Sequence, residues 1–391
     1  GACNAGDIGF VEVNPSGPAG ETDRYGANIV VNGETTFVGW SPAEGSGADA
    51  GPEVAVITAA TQQLSSQIGS NQRLVREGRS RFIASRRQMA GDGAGIASRN
   101  VVDFDVDGTF NVDNGRVSSS GSFFEQTGNY EGTHRRLFFG DFDVQHDSDT
   151  DSTTATLSGK IAWEQMLDEA NMLGYFVGGN LAYSDIGGAF SGEQQSYGVS
   201  AGAYFVSALQ ENLFLDGFLS VGAGHNELEL ANGTADLKGD YESYTTTVGL
   251  ALSGVIEQEG YEIRPEIALS YGYTDLGTIS MTDRNAGSVD NRVTVDADSV
   301  SIANLTIRPE FRVPMDGLTV VDSRSLFTFA PRLICEQVDA VTTTEDCGGG
   351  AEIGFDIKSS DANSRFVARL KADRIASSTR TGLELKLEHQ F

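Results

Sequence analysis

The sequence predicts an all-β fold: a closed antiparallel β-barrel of twelve strands that crosses a membrane, preceded by one α-helix. Three observations carry that expectation. The final stretch, TGLELKLEHQF, sets Leu383, Leu385, Leu387, His389 and Phe391 at alternate positions, with Gly382, Glu384, Lys386, Glu388 and Gln390 between them. That is a strict period of two. From residue 134 onward the same alternation returns between turn-rich breaks. The composition agrees, because 48 glycines and only 8 prolines in 391 residues suit a large antiparallel β protein better than a helical one.

Charge and hydropathy narrow the class further. With 55 acidic against 27 basic side chains and a net charge of -28, binding to a nucleic-acid backbone is excluded on charge. No apolar run approaches the roughly 18 to 20 residues that a membrane helix needs. A barrel escapes this test, since alternation hides its lipid-facing surface from a hydropathy average. With no initiator methionine or signal peptide, the numbering is expected to start within a processed or truncated chain.

Taken in order, residues 1–51 are rich in Gly, Ala, Ser and Pro, with short extended pieces such as ANIVV and TTFVGW, and they read as a small β-rich remnant or tether. Residues 52–92 change character. Ile57, Ala60, Leu64, Ile68, Leu74, Val75, Phe82 and Ile83 recur at mostly helical spacing. Arg73, Arg76, Arg79, Arg81, Arg86 and Arg87 crowd its second half against a single Glu77, an inversion of the acidic background. A solvated helix face is the plain reading of such a cluster. In so acidic a chain, a specific acidic counter-surface is the better one.

Residues 93–133 read as a β and turn segment ahead of the barrel. Within it, DFDVDGTFNVDN places Asp103, Asp105 and Asp107 at calcium-loop positions, but Asn114 stands where a bidentate Glu belongs. An alternating strand through Val102, Phe104 and Val106 explains the same letters and is preferred, so no metal or other cofactor is expected. The barrel is expected over 134–391, its strands near 137–146, 153–165, 172–184, 195–208, 212–227, 242–257, 260–275, 294–313, 323–337, 349–359, 364–375 and 380–391. The breaks MLDEAN, ALQEN, EQEGYE, MDGLTVVDS and SSDANS are short. Those between them, such as ELANGTADLKGD and LGTISMTDRNAGSVDN, tend to be longer and polar, the asymmetry of an outer-membrane barrel.

The faces of the strands support this. In YEIRPEIALSYGY, Arg264 and Glu266 oppose Ile263, Pro265, Ile267 and Leu269. In LTIRPEFRVP, Arg308, Glu310 and Arg312 oppose Ile307, Pro309 and Phe311. Lys160, Arg332, Glu352, Asp356, Lys358, Arg369, Lys371, Glu384 and Lys386 are further inward candidates. A sandwich core could not hold so many charges, each costing several kcal/mol if unpaired. The charged face is therefore wet, as a sandwich exterior or as a barrel lumen. Strands of ten or more residues, with Trp163, Tyr183, Tyr241, Tyr261 and Tyr273 near their ends, favour the barrel. Cys335 and Cys347, close together with no histidines nearby, read as a disulfide across a loop, against two free thiols. Cys3 reads as lipid-modified or as a half-cystine. The four histidines are scattered and no catalytic spacing is visible, so no enzyme is expected.

With its terminal twelve-strand pattern, the ending GLELKLEHQF, a helix placed to thread the pore, and SSGSFFEQTGNYEGTHRRLFFGDFDVQHD at the barrel entry, the chain resembles the C-terminal translocator of bacterial autotransporters, the type V secretion proteins of Gram-negative outer membranes. The resemblance covers roughly residues 52–391. It implies that the helix lies in the lumen as a plug, and that its arginines pair with lumen carboxylates such as Asp141, Asp143, Glu164 and Glu384. Neutralising the arginines is then expected to loosen the plug and raise conductance. It also implies that Gly382, Leu385, Leu387, His389 and Phe391 form the signal read by the barrel-assembly machinery, with His389 departing from the usual apolar or aromatic choice. Membrane lipid, lipopolysaccharide and the chain's own N-terminal passenger are the other implied partners, with the N-terminal segment at or beyond the cell surface. Some members cut themselves at an asparagine in this helix; Asn71 lacks a matching neighbour and reads as a polar helix residue. A passive porin and a structural barrel of a surface assembly are the competing functions, and a porin has no use for an Arg-rich helix before its barrel.

Overall fold

The computed structural model describes residues 26–31, 34–39, 52–90, 103–113, 116–127, 134–147, 151–188, 190–232, 235–285, 292–318, 320, 323–340, 343–359, 364–375 and 378–390. Strands β1 (Gly26–Val31) and β2 (Glu34–Gly39) form a separate hairpin, and α1 (Pro52–Ala90) follows. The large sheet is built from β3 (Asp103–Asp113), β4 (Arg116–Thr127), β5 (His134–Asp147), β6 (Ser152–Met166), β7 (Asn171–Ile186), β8 (Ser191–Gln210) and β9 (Leu213–Ala231). It continues through β10 (Asp236–Gly254), the short β11 (Ile256–Gln258), β12 (Tyr261–Asp283), β13 (Arg292–Pro314), β14 (Ser325–Asp339), β15 (Thr343–Lys358), β16 (Ser364–Ile375) and β17 (Ser378–Gln390).

Each strand pairs antiparallel with the next, β10 pairs with β12 beyond the short β11, and β17 returns to pair with β3. The pairings therefore run in a closed ring, which removes the sheet edges. All twelve expected strands are present, but the ring holds fourteen among the described residues, because β3 and β4 join it. Among the described residues the ring thus begins at Asp103 and not at residue 134, with Asp103–Asp113 and Arg116–Thr127 as wall strands. The count stays even, so the start of β3 and the end of β17 share one end of the barrel. Asp103, Asp105 and Asp107 pair in regular register with Gln390, Glu388 and Lys386, so the stretch is a strand and not the turn of a calcium loop.

The expected long loops are a second correction. Most of ELANGTADLKGD and half of LGTISMTDRNAGSVDN is strand: β9 reaches Ala231 before β10 resumes at Asp236, and β12 reaches Asp283 before β13 starts at Arg292. The cause is an inversion of the faces along single strands. On β9 the lower part turns Leu219 and Val221 outward and Asp216 and Ser220 inward, whereas its far end buries Leu228 and Leu230 and exposes Glu227. Near the loops the wall therefore has an apolar inside and a polar outside, as in a soluble barrel. On β12 the inward face shifts parity at a bulge at Gly277, whose φ of 58° favours a residue without a Cβ, so that after Leu276 it is Ile279 and Met281 that point inside.

Around the middle, the exposed outer face carries Leu157, Val177, Leu181, Val199, Leu250, Leu269 and Phe355. An outward apolar band of this kind is what the wall of a membrane barrel presents. A 23-residue strand such as β12 is about 78 Å long at about 3.4 Å per residue. Tilted by about 45°, it rises about 55 Å, well beyond an apolar band of about 25 Å. No described helix is long and apolar enough to cross a membrane.

A candidate plug site: the helix in the barrel lumen

Helix α1 begins with Pro52, whose missing N–H costs nothing in the first turn, and carries Glu53 there. In the sequence, a Gly91-Asp92-Gly93 run follows its last residue. Its 39 residues span about 58 Å at about 1.5 Å per residue, long enough to thread the barrel from end to end. It does so on one side, against β5 to β10, β12 and β13.

The two halves of the helix are held differently. In the first half, Val56, Ile57, Ala60, Leu64 and Ile68 pack into a cluster with Leu228, Leu230, Ile279, Met281, Val295 and Val300, at the loop end of the barrel. Gly272 makes room for it, since a Cβ there would lie 2.8 Å from Leu64 and 2.7 Å from Ile68. The amide of Gln63 donates to Ser196 at 3.0 Å, and Thr154 donates to Gln62.

The second half carries the arginines. Arg73 meets Asp141 of β5 at 2.5 Å, and Arg81 meets Glu164 of β6 at 2.5 Å. Glu164, 1% exposed, also accepts from the Tyr204 hydroxyl at 2.8 Å. Arg79 bridges two strands, donating to Asp216 of β9 at 2.8 Å and to Glu266 of β12. Arg76 stands 3.8 Å from Glu266 and is 56% exposed. Arg86 lies over the Phe82 ring and donates to the Glu211 carbonyl at 3.4 Å. Between the halves, Asn71 donates to Thr247 at 2.9 Å, and Lys160 reaches Ser70 from the wall between Phe139 and Phe176. Phe82 packs with Leu137, Met172, Phe176, Tyr204 and Phe214 at the turn end.

The structure thus brings together five of the six expected arginines and two of the four expected counter-charges. Asp143 sits half-buried on β5, two residues along from Asp141. The side chains of Arg87 and Glu384 lie outside the described residues, as do those of His389 and Phe391. Of the expected C-terminal signal, Gly382 is buried while Leu385 and Leu387 are 44% and 51% exposed on the outer face. Asp216 and Glu266 were not expected as partners of the helix. Glu266 was legible as a charged-face residue; Asp216 gave a fainter signal, one carboxylate alone in LFLDGFLS.

Beyond the helix, the wall pairs its own charges. Arg308 reaches Glu310 at 2.6 Å and Glu352 at 2.7 Å, Arg312 reaches Asp356 at 2.8 Å, and Arg365 reaches the same carboxylate at 2.5 Å. Arg332 donates to Asp373 at 2.6 Å. The charged faces predicted for these strands therefore do point inward. Cys335 and Cys347 sit directly opposite each other on β14 and β15 and form a disulfide. Cys3 lies outside the described residues, which contain no cluster of potential metal ligands.

A barrel of single-chain strands with its own helix down the lumen agrees with the sequence comparison. Residues 163–323 match the family model described as autotransporter beta-domain. Over that stretch, the chain is similar to an autotransporter β-domain. That match runs from the end of β6 to the connection after β13, which is most of the wall that holds the helix. An autotransporter β-domain is a secretion fold and not an enzyme family. Among solved structures, the translocator domain of the autotransporter NalP from Neisseria meningitidis is 11% identical, with 86% of this chain and 100% of that chain covered and a TM-score of 0.47. The β domain of the Bordetella autotransporter BrkA is 14% identical, with 74% and 100% covered and a TM-score of 0.43. The monoaromatic hydrocarbon channel CymD is 7% identical, with 75% and 88% covered and a TM-score of 0.50, a likeness of fold alone. No curated protein matches the sequence.

Proposed function

We infer that the chain is the translocator of an outer-membrane autotransporter, which exports an N-terminal passenger and keeps its pore plugged with its own helix. The observation that carries this is the ion-paired passage of α1 through the barrel, with Arg73, Arg79 and Arg81 each matched to a buried wall carboxylate. A channel built for free diffusion gains nothing from such a fit.

The same geometry supports an orientation. If the shared end of β3 and β17 faces the periplasm, the N-terminus of α1 points to the cell surface and residues 1–51 lie at or beyond it. The apolar outer face is the contact for lipid and, in the outer leaflet, lipopolysaccharide. Strand β17, with Leu385 and Leu387 on its outer face, is the segment that the assembly machinery would read.

The test is planar-bilayer conductance of the full chain against a chain lacking residues 1–92, which leaves every ring strand in place. A nearly silent full chain and a nanosiemens pore after truncation are expected. Equal conductance would favour the porin.

A further inference from the structure

We propose that the seal of this pore is an apolar collar around the outer half of α1, and that the arginine-bearing half is an anchor standing in a wet vestibule open only toward the turn end. This rests on the plug reading and assigns the work within it to particular residues. From position 52 to 64 no helix residue is exposed. Val56 and Leu64 are fully buried, and the wall residues clustered with them, Ile279, Met281 and Val300, are equally dry. Below Leu64 this changes abruptly.

Ser65, Arg76 and Ser80 are exposed, and Gly69 and Gln72 between them are half-buried. Their spacing of three, four or seven residues lays them along one face of the helix. The face is polar or small throughout, and it runs the length of the arginine half. Arg76 shows what that face meets: it is the least covered of the helix arginines that pair with carboxylates, although it stands beside a buried Glu266. Further along the wall, Arg264 and Arg365 remain about a third exposed, while Glu262 and Asp356, to which they pair, are buried. A polar cleft of this kind admits water and small ions, whereas an apolar constriction shuts by drying. Ion pairs in the lower half fix where the helix sits without closing the gap beside it.

The collar and the anchor separate in one experiment on the full chain. Single-channel conductance is compared for wild type, for the collar variant Val56→Thr/Leu64→Asn, and for the stripe variant Ser65→Gln/Ser80→Gln, each checked for a folded, heat-modifiable barrel on gels. The expected result is a rise of at least tenfold for the collar variant only. Because that variant could fail to fold, a second measurement uses single cysteines in a Cys3→Ser background, read by mass after exposure to a small anionic thiosulfonate. Ser65→Cys or Ser80→Cys is expected to react, and Ala59→Cys to stay unmodified. A folded collar variant as silent as wild type, while the chain lacking residues 1–92 opens, would overturn the collar and leave the plug standing. Equal reactivity at 59 and 65 would overturn it as well. A wild type that already conducts at the nanosiemens level would bring down the plug reading itself.

Discussion

At the scale of single residues, Arg79 is the strongest fixture of the helix, because its guanidinium, 12% exposed, ties together two strands that are not neighbours, β9 and β12. Removing it would leave Asp216 without its helix partner and Glu266 with only the exposed Arg76, two nearly buried carboxylates two strands apart on one wall. Arg79→Ala is expected to cost about 3 to 5 kcal/mol, the usual loss when one partner of a buried pair is deleted. Urea unfolding of the purified barrel would measure it, and Arg79→Lys should recover only part, since one ammonium cannot hold both carboxylates in a fork. Gly277 makes a smaller prediction of a different kind. A Cβ there meets no atom, so the penalty of Gly277→Ala is backbone alone, about 1 to 2 kcal/mol for its left-handed φ. A change below about 0.3 kcal/mol in the same unfolding assay would show that the bulge relaxes.

At the scale of elements, the sequence was most readable where a strand keeps one pattern throughout. The stretches YEIRPEIALSYGY and LTIRPEFRVP turn out with their arginines and glutamates inward and their apolar residues outward, as their alternation required. Reading failed for two physical reasons. Toward the loop end of a strand the faces exchange roles, so ELANGTADLKGD has polar letters on the water side and looks like a loop although its Leu230 and Leu237 are core. Strand β4 hid because RVSSSGSFFEQT is serine-rich and shows little alternation, and the partners that make it a strand are only found in three dimensions. The disulfide is a fixture of one hairpin, β14–β15, closing 12 residues. Reducing it is expected to lower stability by about 3 kcal/mol on loop-entropy grounds. Hydrogen exchange should show the loss in β14 and β15 alone, with the helix amides unchanged.

At the scale of the whole molecule, the ring, the helix and the charge distribution agree with one another. A chain of net charge -28 places arginines inside the barrel, where carboxylates would otherwise repel, and a truncation that removes α1 takes four of their described partners away at once. The barrel without residues 1–92 is therefore expected to unfold at lower urea than the full chain, and to be restored in part by salt, which screens the exposed carboxylates. Equal unfolding midpoints would mean that the wall is self-sufficient and the helix a passenger within it. The general family reading was open to the sequence because composition and period are global. The partners of each arginine were not, because a lumen contact depends on which wall the helix leans against.

The seam where β17 meets β3 also sets a timetable. Asp103 and Gln390 are register partners, so the first wall strand to leave the ribosome waits for the last before it has a neighbour on that side. Every other pairing in the ring joins strands close in sequence and can form as hairpins, quickly and locally. The closing step has the longest chain separation of all and carries its loop entropy in one event. Substitutions along β3 or β17 should thus slow the arrival of the finished barrel while leaving its rate of unfolding less changed, whereas substitutions in the middle hairpins should mostly do the reverse.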